Sequence, residues 1–132
     1  MDLGCSYDDR KKPVWTYHHA SSFYGGDGEV SVTAIECPME QVELTFRLHE
    51  TLMLTMPRAK TPTGWLTFGF HEDLQEATYL ALEGMLSLLG ELYQVDRVNA
   101  LAPASVAVDM RVTQIVNQVR GVHACLPYGA IR

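Results

Sequence analysis

The hydrophobic period of the chain changes twice along its length, and those changes constrain the fold more than any other feature. Up to Phe70 the apolar residues alternate with polar ones, as half-buried strands require. From Asp73 to about Gln94 the set Leu74, Ala77, Ala81, Met85, Leu88, Leu89 and Leu92 recurs at helical spacing, and Leu82, Leu86 and Tyr93 widen the stripe. Asp73 can accept from the first unsatisfied amides, with Glu76 three residues on as in a capping box. Gly84 and Gly90 each cost about 1 kcal/mol relative to alanine inside a helix, which points to close packing there. Asp96 can cap a second, shorter helix to about Leu101, where Pro103 is expected to interrupt it. Beyond Val106 the alternation returns. Strands, then helices, then strands again imply an α+β fold: mainly antiparallel sheet, with one long and one short helix packed on one face.

The strands can be placed from the same pattern. Residues 1 to 13 are polar and read as a loosely held leader, and Val14 to Ala20 as a strand. Gly25-Gly26-Asp27-Gly28 marks a turn, and Glu29 to Cys37 alternates as a second strand. Val42, Leu44, Phe46 and Leu48 against Glu43, Thr45, Arg47 and His49 give the cleanest half-buried strand in the chain. Leu52 to Met56, Trp65 to Phe70, Val106 to Val116 and Val122 to Leu126 follow, with turns at Thr61–Gly64 and Asn117–Gly121. The domain reading is a divergent N-terminal leader with a strand over 1–25, then one domain over 26–132.

Composition narrows the function classes. Sixteen acidic residues against ten basic ones give a formal charge of −6, the wrong sign for a nucleic-acid-binding face. No apolar run is long enough to span a bilayer, so no membrane partner is expected. Cys5, Cys37 and Cys125 are widely spaced and form no CxxC pair. With no apolar stretch at the N-terminus, these features point to the cytoplasm and to reduced thiols.

The densest group of chemically capable residues is His18-His19 with Gly25-Gly26-Asp27-Gly28-Glu29. An imidazole and two carboxylates can ligate a divalent metal, and a metal so held lowers the pKa of bound water. The same residues also suit an exposed hairpin with a turn aspartate and surface histidines. Asp109 and Arg111 share a strand face, where they can bind a polar substrate or form a structural ion pair. His123 suits a hydrogen-bonded structural role, His71 a turn before the long helix, and His49 a solvated strand face. There is no GxSxG elbow, P-loop or GxGxxG.

Several blocks together resemble the acetamidase/formamidase family. They are Gly26-Asp27-Gly28-Glu29-Val30, Thr33-Ala34-Ile35-Glu36-Cys37-Pro38, Val42-Glu43-Leu44, Thr61-Pro62-Thr63-Gly64-Trp65 and Phe68-Gly69-Phe70. The similarity continues through Asp73-Leu74 and Ala107 to Asn117, and closes with Gly121-Val122-His123-Ala124-Cys125-Leu126-Pro127. It covers roughly residues 26 to 132, corresponding to the C-terminal half of the longer family chains. Asp27 and Glu29 match without a gap. A three-residue insertion is needed for His19-Ala20 to match the family's His-Ala pair, and Tyr17 then stands at its aspartate.

The resemblance implies hydrolysis of short aliphatic amides such as formamide and acetamide to ammonia and carboxylate, in a cytoplasmic homo-oligomer that can hold zinc or another divalent ion. It implies Glu29 and Asp27 as catalytic residues, with His19, Asp27 and Glu29 as metal ligands. The competing expectation is a truncated, non-catalytic domain or assembly subunit that keeps the family fold.

Overall fold

A computed structural model describes residues 3–7, 13–17, 37–38 and 54–131, together with single positions at 30, 45 and 48. The chain divides into two compact units, Met1–Met53 and Leu54–Arg132.

The first unit contains a three-stranded antiparallel sheet of β1 (Leu3–Tyr7), β2 (Pro13–Tyr17) and β3 (Cys37–Pro38), in that order. Within the segment read as a leader, Leu3–Tyr7 pairs along its whole length with β2, from Leu3↔Tyr17 to Tyr7↔Pro13. The aromatic and β-branched strand read from Val14 supplies its template. The strand expected over 42–48 fails at its two described positions: Thr45 and Leu48 lie outside any element, and Leu48 is 88% exposed. The rest of that segment, and the Glu29–Cys37 strand apart from Val30 and Cys37, lie outside the described residues.

The second unit is built on an antiparallel sheet ordered β4-β5-β7-β6. Its strands are β4 (Arg58–Lys60), β5 (Gly64–His71), β6 (Asp109–Gln114) and β7 (Arg120–Pro127). Helices α1 (Leu74–Tyr93) and α2 (Arg97–Ala107) accompany it. This is the α+β architecture that the change of period implies. The strand expected over Leu52–Met56 instead forms at Arg58–Lys60. A tight turn, in which the Thr61 amide donates to the Gly64 carbonyl at 2.9 Å, forces the residues flanking it to pair, Lys60 with Trp65 and Arg58 with Thr67.

Helix α1 begins as read. Asp73 Oδ1 accepts from the amides of Gln75 (2.8 Å) and Glu76 (3.1 Å). The reciprocal bond falls to His71, whose Nδ1 accepts from the Asp73 amide at 3.0 Å. The helix ends on Gln94 in the left-handed conformation, at φ 55°. Its buried face, Ala77, Ala81, Met85, Leu86, Leu88 and Leu89, meets Val122, Ala124 and Leu126 of β7 in the core.

Two residues of β5 set how closely α1 approaches. Thr67, 1% exposed, donates its hydroxyl to the Ala81 carbonyl at 2.8 Å. At Gly69 a Cβ would overlap the Ala77 carbonyl oxygen and the Ala81 amide nitrogen. On the helix side, a Cβ at Gly84 would stand 3.2 Å from Thr67 Cβ, which accounts for that helical glycine.

Helix α2 runs through Pro103 to Ala107, so the interruption expected there is corrected. A mid-helix proline removes one backbone bond and costs about 3 kcal/mol. Against that, Ala100 and Ala104 on either side of it are buried in the core at 0% and 4% exposure. Val106 therefore lies in the last turn of a helix rather than starting a strand, and β6 begins only at Asp109. The Arg97 side chain bridges the two helices, with Nε donating to Glu83 Oε2 at 3.1 Å and a second bond from Nη2 to Glu83 Oε1.

Two predictions follow from this packing. Gly69→Ala overlaps backbone rather than a movable side chain, so it lowers stability by about 3 kcal/mol in urea titration. The hydrogen bonds from Arg97, aided by its charge, hold the Glu83 carboxyl below its ordinary value. The pair therefore stabilises the fold above the ordinary glutamate range, and that contribution is lost as pH falls through the lowered value. Thermal melts of wild type and Glu83→Gln should differ at neutral pH and converge in acid, with 1 M salt narrowing the neutral-pH gap.

Candidate functional site

Alternation along β5 and β7 gives the four-stranded sheet two distinct faces. Thr67 and Gly69 face α1, so Leu66, Phe68 and Phe70 lie on the opposite face. Directly paired residues share a face, which places His123 (opposite Phe68) and Cys125 (opposite Leu66) with them. β6 adds Arg111 opposite His123 and Asp109 opposite Cys125. One row across the sheet therefore reads Phe68, His123, Arg111.

His123 is the central polar group of that face and is only 7% exposed. Its Nδ1 shares a 2.7 Å hydrogen bond with the Thr113 hydroxyl. The Phe68 ring lies 6.0 Å from the imidazole, tilted by 41°, and Phe70 stacks on Phe68 at 6.1 Å. At the rim, Arg111 and Asp109 form a 3.7 Å ion pair with both side chains well exposed. The structural-pair option for these two is the one observed, and His123 has the hydrogen-bonded strand role read for it. A buried imidazole backed by a hydroxyl and an aromatic wall has a fixed ring orientation.

The residues singled out for chemistry, Glu29, Asp27 and His19, lie outside the described residues, as does His18. The expectation of a metal rests on them. Among the described residues, no three His, Cys, Asp or Glu side chains come together to hold an ion. A shallow depression elsewhere in the unit is lined by Trp65, Leu92, Tyr93, Leu126, Pro127, Tyr128 and Gly129, with no carboxylate, imidazole or thiol to do acid–base or nucleophilic work. Among the described residues, no helix is long and apolar enough to cross a membrane.

Sequence reasoning missed the Thr113–His123 pair. Its only signal was the turn between them, and the register also depends on an irregularity between Val112 and Gln114 that alternation does not reveal.

No protein-family model matches this chain, and no curated protein sequence matches it. The resemblance to amide hydrolases accordingly stands on the quoted blocks alone. For the pair itself, Thr113→Val removes the hydroxyl bond at nearly constant volume. It should cost about 1 kcal/mol in urea unfolding, while Thr113→Ser stays close to wild type.

Proposed function

We propose that the chain is an amide hydrolase domain that converts short aliphatic amides, formamide and acetamide, to ammonia and the carboxylate. The observation that carries the reading is the ordered run of blocks from Gly26-Asp27-Gly28-Glu29 to His123-Ala124-Cys125-Leu126-Pro127. In support, the blocks at 61–70, 107–117 and 121–127 fall on three neighbouring strands of one sheet, with the end of α2 and the turns beside them.

In this reading Glu29 takes a proton from water as the hydroxyl oxygen attacks the amide carbon. Backbone amides near Gly26 to Gly28, where glycine permits close approach, stabilise the tetrahedral oxyanion. Glu29 returns the proton to nitrogen, the C–N bond breaks, and ammonia leaves with the carboxylic acid as co-product. Asp27 orients the water or serves as a ligand. One imidazole and two carboxylates, His19, Asp27 and Glu29, are donors of the kind that zinc and similar divalent ions accept, and such an ion supplies Lewis acidity. The working compartment is the cytoplasm, and the enzyme is a homo-oligomer.

A second reading, a non-catalytic assembly domain, draws on apolar side chains left exposed on α2 and β6, among them Val98 at 73% and Val106 at 89%. Ammonia release by the purified full chain, assayed with formamide and acetamide in the presence and absence of zinc, separates the two. The hydrolase reading expects turnover that Glu29→Gln abolishes without changing the circular dichroism spectrum. Wild-type rates from Glu29→Gln remove Glu29 from the mechanism. Absence of ammonia from the wild-type chain under every condition favours the assembly reading.

A further inference from the structure

Strand β6 stands at the end of the sheet order, and among the described residues only β7 pairs with it. An edge strand presents backbone donors and acceptors to any extended chain of matching pattern. Natural edges are guarded by proline, lysine, bulges or inward charge; β6 carries neither proline nor lysine, and its one irregularity, between Val112 and Gln114, falls at the C-terminal end of the strand. Its apolar side chains are also only partly covered: Met110 is 39% exposed and Val112 43%.

The sequence of this edge, with the residue before it, is Val108-Asp109-Met110-Arg111-Val112. Read backwards it is the same string with the acid and the base exchanged. An antiparallel partner centred on Met110 therefore sets Val108 opposite Val112, Asp109 opposite Arg111, and Met110 opposite itself. Every charge meets its opposite, twice over, and the apolar residues meet each other. Other registers lose this match. Centring on Arg111 puts two guanidiniums face to face, centring on Asp109 puts two carboxylates face to face, and a one-residue slip sets Met110 against Arg111. Asp109 and Arg111 already lie 3.7 Å apart within one chain at 65% and 47% side-chain exposure, so the pairing gathers two acids and two bases into one network.

We propose that the β6 edge is a self-complementary interface, at which two copies of this chain pair antiparallel about Met110 and join their four-stranded sheets into one of eight. Such a contact is isologous, with each residue and its counterpart exchanging roles across a two-fold axis. The inference does not rest on amide hydrolysis and goes beyond it by assigning the surface and its register.

Sedimentation of the full chain across micromolar concentrations tests it, with circular dichroism confirming that each variant is folded. The wild type should sediment at twice the 14.7 kDa chain mass. Asp109→Arg and Arg111→Asp each create two like-charge contacts and should weaken the dimer roughly tenfold or more. The double exchange, Asp109→Arg with Arg111→Asp, restores every pair and should return the dissociation constant to near the wild-type value. Met110→Lys, at an exposed position, places two ammonium groups on the axis and should give monomer, which decides the matter where a charge variant does not fold. A monomeric wild type, a dimer indifferent to the single exchanges or to Met110→Lys, or a double exchange as weak as the singles would overturn the proposal.

Discussion

The second unit depends on how closely α1 can be laid on β5. Thr67 donates its hydroxyl to the Ala81 carbonyl, and Gly69 has no side chain where the backbone of residues 77 to 81 passes. Between helix and sheet there is room for the Thr67 hydroxyl, and beside Gly69 for nothing larger than hydrogen. Ala77 and Ala81, both fully buried, are small for the same reason. This close contact lets Met85, Leu88 and Leu89 reach Val122, Ala124 and Leu126, and it fixes which face of the sheet is core. Because side chains alternate, committing Thr67 and Gly69 to the helix commits Phe68, His123 and Cys125 to the other face. The orientation of the only imidazole buried among the described residues is thus a consequence of helix packing on the far side of the sheet.

Polar satisfaction follows the same division. On the helix face the buried Thr67 hydroxyl has its carbonyl, and on the other face the buried His123 ring has Thr113. Among the described residues, no buried side-chain nitrogen or oxygen lacks a partner. The imidazole is held in one orientation by a hydroxyl and an aromatic wall. The chemistry proposed for the chain is nevertheless assigned to Glu29, on the strength of the sequence blocks, and stands or falls with that residue.

The sequence made most of the second unit legible because its strongest signals are local. The change of period at Asp73 and the cap it provides place α1 to within a residue at each end, and Asp96 places the start of α2. What was not legible depends on long-range partners. Pro103 ends a helix by local rules, but burial of Ala100 and Ala104 carries α2 past it. Leu52–Met56 has strand composition, yet strand pairing is decided by the turn at Thr61, so the three residues just before that turn form the strand. Leu48, in the best alternating run in the chain, is exposed and outside any element, a placement that alternation alone does not reveal. The Thr113–His123 bond requires the β6–β7 register and cannot be read from residue types. Of the residues proposed for catalysis the sequence provides only identity and spacing.

Helix α1 and strands β5 and β7 form one cooperative body held together at Thr67 and Gly69. Native-state hydrogen exchange of the full chain tests it most directly, because exchange free energies show which elements open together. Amides of Ala81 to Leu89, of Thr67 to Phe70 and of Val122 to Leu126 should exchange at one common free energy, equal to that of unfolding the second unit. Faster exchange throughout α1, at a free energy well below that of the two strands, would show that the helix lifts off an independently stable sheet, and would contradict it.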